Sequence, residues 1–214
     1  MKITWIGHAC FLLEAPEATV LTDPFDESVP YHGFPKTPVD VVTVSHGHSD
    51  HAAVDRVVGG PAVIREPGEQ VAHGVTFVGT PSFHDDAQGA ARGSNLLCRF
   101  ELDGIRIAHL GDLGAELSPE QKAALGEVEV LLVPVGGNYT IGPEQAKRIA
   151  ASLPSVRVVI PMHFRTDAIS DWPIATVEDF ARTMDNVRKI GSSSITLERE
   201  TLPERLEVWI LDYA

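Results

Sequence analysis

Three imidazoles, His46, His48 and His51, and one carboxylate, Asp50, fall within six consecutive residues, directly after the largely apolar run Val39 to Val44. Neutral imidazole and carboxylate are ligands for zinc, manganese or ferrous iron. Crowded together without a cation, they would repel as imidazolium ions or stay unsatisfied when buried. A divalent metal is the economical explanation. In extended backbone, residues two apart point the same way, so His46 and His48 can grip one cation. Asp50 and His51 follow where the chain turns, and they face a different point. Adjacent side chains cannot all converge on a single ion, and two neighbouring ions divide such a cluster naturally.

Further ligands are expected at the ends of distant strands. His84 follows the β-like stretch Phe77 to Thr80, Asp112 follows Ile105 to Leu110, and His163 follows Val156 to Pro161. Each sits just beyond an apolar strand, where loops gather over one edge of a scaffold. The competing readings are ordinary ones: His84 and His163 as core or surface residues, and Asp112 as an Asx-turn residue beside Gly111. His109 is expected to be structural, and His32 and His73 to be loop residues. His8 is divided between contact with the site and hydrogen bonding in a turn. Asp23 is a candidate partner for the second nitrogen of a ligand histidine. Substrate-facing candidates are His8, Arg92, Asn95, Asn138, Tyr139 and Arg165, the arginines because a guanidinium suits phosphate or carboxylate. Asp85 and Asp86 read as a solvated or helix-capping pair.

The elements that must position these groups are mostly strands in the first half. Short β-type runs cover Lys2 to Ile6, Cys10 to Glu14 and Ala18 to Thr22, and a loop rich in Pro and Gly runs from Asp23 to Pro38. Val39 to Val44 reads as a strand buried on both faces, and Ala52 to Val58 as a short helix. Strands follow at Ala62 to Ile64, Val75 to Val78, Leu96 to Leu102 and Ile105 to Leu110, with Asp103-Gly104 as a hairpin turn. Later, Ser118-Pro119 and Gly142-Pro143 open helices, and Thr176 to Asp179 resembles a capping box for a helix reaching about Lys189. Strands at Glu129 to Val135, Val156 to Pro161 and Leu206 to Leu211 complete the pattern. Two sheets packed face to face with helices outside would accommodate it.

Composition narrows the functional classes. The 214 residues are expected to form one domain, with ordinary hydrophobic and charged content for a folded protein. Thirty acidic residues against 17 basic ones give a formal charge of -13, with no basic run to attract nucleic acid or an anionic membrane. Cys10 and Cys98 make no disulfide framework and read as reduced core residues. The N-terminus lacks a convincing signal peptide, and no apolar run approaches a membrane span, so a cytoplasmic location is expected.

The order His46, His48, Asp50, His51, His84, Asp112, His163 resembles the metallo-β-lactamase superfamily signature H-x-H-x-D-H followed by His, Asp and His. The resemblance implies an α/β fold, the four-layer αββα sandwich. It also implies one metal held by His46, His48 and His84, a second held by Asp50, His51 and His163, and Asp112 bridging them. Trp5 to Phe11, Thr22-Asp23-Pro24, Gly111-Asp112, Pro134 to Gly137 and Ile160 to Phe164 are similar to the small stand-alone hydrolases related to L-ascorbate-6-phosphate lactonase. The implied activity is hydrolysis of an ester, lactone, amide or phosphodiester by a hydroxide between two divalent metals. Zinc is expected, with manganese, iron or nickel as alternatives. Asp50 and Asp112 are the catalytic candidates, since either could orient the hydroxide or receive its proton as well as bind metal. The implied partner is a small-molecule substrate, with neither nucleic acid nor membrane, and homo-oligomerisation is left open. Competing readings are a di-iron redox protein, a non-catalytic metal-binding protein and, less favoured without a basic arm, a nucleic-acid phosphodiesterase.

Overall fold

A computed structural model describes all 214 residues. The strands and helices run β1 (Lys2–Gly7), β2 (Cys10–Glu14), β3 (Thr19–Thr22), β4 (Val41–Thr43), β5 (Ala62–Ile64), β6 (Gly68–Ala72), β7 (Val75–Phe83), β8 (Ser94–Leu102), β9 (Ile105–His109), α1 (Pro119–Leu125), β10 (Val130–Pro134), α2 (Pro143–Ala151), β11 (Val158–Met162), α3 (Val177–Ala181), β12 (Val187–Lys189), β13 (Ser194–Thr196) and β14 (Glu207–Ile210). They form a six-stranded sheet ordered β13-β1-β2-β3-β4-β5 and an eight-stranded sheet ordered β12-β14-β11-β10-β9-β8-β7-β6. In the second sheet, β6 to β9 form an antiparallel meander. From β9 onward the pairings are parallel, and α1 and α2 lie in the crossovers that parallel neighbours require.

Alternation along the strands decides which side chains enter the core. Ile3 and Trp5 from β1 and Phe11 and Leu13 from β2 join Phe77, Phe100 and Ile107 of the second sheet in one buried cluster. Ile6, Cys10, Leu21 and Val42 face the other way, where Phe25 and Tyr31 of the 23–38 loop cover them together with Ile169 and Ile174. The second sheet is covered by α2, through Ala146, Ile149 and Ala150, and by α3, through Phe180. This is the α/β sandwich expected, with helices outside two sheets. On the first sheet, however, loops and short 3-10 turns replace long helices. No helix is long and apolar enough to cross a membrane.

Local chemistry explains several boundaries. Asp103 and Gly104 have φ of 51° and 70°, the left-handed pair that a two-residue hairpin between β8 and β9 demands. Ser118 and Gln121 form a reciprocal capping box with Pro119 at the first helical position. Two expected helices shrink. Ala52 to Val58 yields only a 3-10 turn at Val54–Arg56 that buries none of its own side chains. The helix from Thr176 stops at Ala181, and Val187–Lys189 instead pairs in parallel with β14 at the sheet edge. The capping signal at Thr176 was sound, because the Asp179 carboxylate accepts from both its N–H and its hydroxyl. The helical pattern beyond it gave way to an available strand neighbour. Strand β7 runs on through Pro81, past Gly79, the last residue paired with β6, so the missing proline N–H costs no bond on that side.

Candidate metal centre

Strands β4, β7, β9 and β11 end on a common edge, and each delivers a ligand candidate within the next few residues. The segment after β4 is held from two sides: Leu96 N–H of β8 donates to Ser45 O (2.8 Å), and Ala53 N–H donates to Pro24 O (2.8 Å), just past β3. Past Thr43 the chain bends rather than extending, so strand alternation is not what brings His46 and His48 together. His46 presents Nε2 and His48 presents Nδ1, 3.0 Å apart. Asp112 is fixed by its own N–H, which donates to Asn95 Oδ1 (2.9 Å). Gly111 before it, at φ 54°, leaves room where a Cβ would lie 2.4 Å from Ser45 and Asn95. His8, Asp23 and His163 all adopt left-handed backbone, at φ 54°, 38° and 51°. Non-glycine residues held so are concentrated at functional sites, where the surroundings must over-determine them. Here His163 N–H donates to His8 O (3.1 Å), and Trp5 Nε1 donates to the same oxygen (3.0 Å).

The seven residues of the spacing pattern converge. Asp112 Oδ2 lies 3.3 Å from His51 Nε2 and 3.2 Å from both His84 Nε2 and His163 Nε2. Ligand atoms of His46, His48 and His84 lie within 4.8 Å of one another, and so do those of His8, His51 and His163. Asp50 Oδ2 is 3.8 Å from His51 Nε2 and 3.3 Å from His8 Nε2. A tetrahedral ion with ligands at ~2.0–2.1 Å separates its donor atoms by roughly 3.3 Å, so these spacings suit metal coordination. Asp112 Oδ1 is buried with no hydrogen-bond partner, a costly state for a carboxylate oxygen that a cation relieves. The residues therefore fit divalent metal, and Asp112 lies between the two histidine groups.

Two neighbours set the protonation of the ligands. Asp23 Oδ2 accepts from His51 Nδ1 (2.8 Å), which leaves Nε2 as the nitrogen turned toward Asp112, 3.3 Å away. The Ser45 hydroxyl donates its single proton to Asp23 (2.6 Å), so it accepts from His46 Nδ1 (2.9 Å), and His46 Nε2 is bare. The sequence pointed to Asp23 for such a role but gave no distinctive signal for Ser45. Burial drives the pKa of His46 down to about 3, helped by the charge of His51. Burial and then the charge of His163 drive His8 to about 4, against Asp50. Burial would also lower His51, but the carboxylates of Asp112 and Asp23 outweigh it and raise that imidazole well above its ordinary value. Asp112 goes the other way: burial opposes its charge, yet His163 and His51 hold it well below the usual carboxylate range. His109, as expected, is structural: it is buried, with Nε2 on Ala9 O and Nδ1 accepting from Gly111 N–H.

A model of the beta-lactamase superfamily domain matches residues 2–163. The chain belongs to that superfamily. A UPF0173 metal-dependent hydrolase from Methanoculleus marisnigri is 34% identical over 89% of this chain and 91% of its own length. Among solved structures, a proposed Zn-dependent hydrolase of the metallo-beta-lactamase superfamily from Thermotoga maritima superposes with a TM-score of 0.83 at 40% identity. That match covers 100% of this chain and 99% of the other. CmlA, a diiron β-hydroxylase from Streptomyces venezuelae, shares the fold at a TM-score of 0.56 and 15% identity over 76% of this chain and 44% of its own. That likeness concerns the fold alone.

Loops on a rigid scaffold commonly carry specificity, and here those around the strand edge enclose a cavity of about 360 Å³. His48, Asp50, His84, Asp112 and His163 form its floor, and Arg92, Tyr139 and Trp172 belong to its walls. Two substrate-facing candidates, Arg92 and Tyr139, line this cavity. The other four lie elsewhere. Asn95 is buried and fully engaged, donating to Ser82 Oγ and Leu110 O while accepting from Asp112 N–H, so it shapes the Asp112 turn. Arg165 is exposed and lines a different depression with Trp5 and Phe164, because the chain turns away after His163. Asn138 is exposed at the left-handed position of its turn and does not reach the cavity wall. His8 is completely covered and lies among Asp50, His51 and His163 instead of at a substrate-facing rim. Trp172 went unforeseen. It arrives from a loop with no periodic pattern and stands edge-on to His8 at 5.4 Å.

Asp85 is neither solvated nor a helix cap. Its carboxylate is buried and accepts from the N–H groups of Ala87, Gly89, Ala91 and Arg92 at 2.7–3.0 Å, folding the loop after His84 around itself. Those bonds, with Arg92 first, hold its pKa down. Asp85→Ala would strand four donors, and hydrogen exchange should then accelerate at these four amides while the amides of β10 and β11 keep their protection.

Proposed function

We propose that this protein is a binuclear metal-dependent hydrolase acting on a small molecule. The observation that carries this reading is Asp112 Oδ2, within 3.3 Å of His51, His84 and His163 at once. His46, His48 and His84 would hold one ion; His8, Asp50, His51 and His163 would hold the other, with Asp112 shared between them. Two such ions supply a water acidified toward neutral pH and a Lewis acid for the substrate's electrophilic centre. The protein's own groups do the rest. Asp23 and Ser45 hydrogen-bond the Nδ1 atoms of His51 and His46, so that each would offer Nε2 to metal. Asp50, partly open to the cavity, would orient the attacking water by accepting its hydrogen bond. Trp172 and Tyr139 wall the cavity and limit solvent.

Elemental analysis of protein purified without added metal, together with a panel of chromogenic esters, lactones and phosphodiesters, tests the reading. Two ions per chain and hydrolysis of at least one class are expected. A single ion per chain after metal reconstitution, or no turnover across the panel, would overturn it. His8→Ala should lower the stoichiometry toward one, because the second group then loses the imidazole 3.1 Å from His51. An unchanged metal content would remove His8 from the ligand set.

A further inference from the structure

Arg92 is the one lysine or arginine that lines the metal cavity, in a chain where acids outnumber bases by 30 to 17. Several other arginines are paired with acids, among them Arg106 with Glu129 and Arg148 with Glu116. The Arg92 guanidinium has no carboxylate within ion-pairing distance, and its side chain lies over the ring of Tyr139, 5.7 Å from the centroid. Such stacking orients the planar fork without using its N–H donors. The backbone beneath it is built for position. Arg92 N–H donates to Asp85 Oδ2 (2.7 Å), Gly93 N–H donates to Gly89 O (3.0 Å), and Gly93 O accepts from the N–H of His84 (3.0 Å). The loop that carries Arg92 is thereby tied to a residue of the metal floor.

We propose that Arg92 is an anion subsite and that the substrate carries a carboxylate or phosphate group apart from the bond that is broken. A half-buried guanidinium with free donors is available to an oxyanion, and a bidentate pair supplies geometry as well as energy. Tyr139 and Trp172 offer flat apolar surface beside it, suited to a planar or apolar segment between the anion and the reactive centre. A volume of about 360 Å³ suits a compact molecule. The inference rests on the hydrolase reading for the reaction but not for the binding.

Isothermal titration of the zinc-loaded protein with phenylacetate, phenylphosphonate and neutral phenylacetamide tests it. In the parent, at least one acid should bind roughly tenfold or more tightly than the amide. Arg92→Gln should remove about tenfold from that acid's affinity with zinc content and melting temperature unchanged. Arg92→Lys should recover only part, since an ammonium lacks the fork. A loss confined to phenylphosphonate assigns a phosphate, and one confined to phenylacetate a carboxylate. Equal acid affinity in the parent and Arg92→Gln would mean that the metals alone hold the anion and would overturn the proposal, as would a parent that binds the amide as tightly as the acids. Because binding is the readout, a chain with no turnover still answers the question, and the two readings fail separately.

Discussion

Asp112→Asn is expected to release metal and reduce hydrolysis by more than ~100-fold, since loss of a partner that merely orients a ligand already costs roughly 10–100-fold. The substitution preserves size but removes the negative charge that three imidazoles face at 3.2–3.3 Å. It should therefore affect both ion positions, whereas a change at His48, which belongs to one group, should affect one. Metal content and turnover report the loss. Folding is separable from both, because the Asp112 backbone is anchored through its N–H to Asn95 and needs no charge to stay there. A variant that retained two ions per chain and near-parental rates would exclude Asp112 from the shared position.

Removing the metal should change how stability responds to pH on both sides of neutrality. In the metal-free protein His8 and His46 have folded pKa values near 4 and 3, against an ordinary 6.5, because burial and neighbouring imidazoles disfavour their charge. The unfolded chain then binds more protons than the folded one between those values, so stability is lost as pH falls from 6.5 toward 4. His51 has the opposite sign. Its folded pKa is raised, so its contribution is complete below 6.5 and disappears as pH rises toward the folded value. The metal-free protein should consequently be most stable near pH 6.5 and weaken in both directions. Bound metal displaces the His51 proton and should flatten the alkaline limb, while the acid limb persists because protons compete with metal for the same nitrogens. Urea melts across this range, with and without zinc, measure the difference. An alkaline limb of equal slope in both forms would contradict it.

The residues that carry chemistry were legible in the chain because their identity is their function. Nothing except His, Asp and their spacing is needed to recognise His46 to His51, and the strand-end positions of His84, Asp112 and His163 follow from apolar periodicity. The hairpin at Asp103-Gly104 and the helix starts at Ser118 and Gly142 were readable for the same reason, since each is a local rule executed by adjacent residues. Where outcomes depended on distant partners, local reading failed. Val187–Lys189 carries no strong strand signal of its own and becomes a strand because β14 offers it an edge. Asn95 reads as a substrate-facing candidate, yet Ser82, Leu110 and Asp112 consume its amide. Asp85 reads as solvated beside Asp86, but the loop that follows wraps around it.

The sequence by itself determined the cluster of candidate ligands, the absence of any basic run and the succession of strands that leads each candidate to an edge, because these properties reside in residue type and short-range order. Only the tertiary structure decided that His8 lies beside His51 and His163, that Ser45 and Asp23 hydrogen-bond His46 and His51, and that Arg92 lines the cavity whereas Arg165 lines another depression. Those outcomes turn on contacts of about 3 Å between segments as distant in the chain as His8 and His163, which no local pattern encodes and only the packing of two sheets can set.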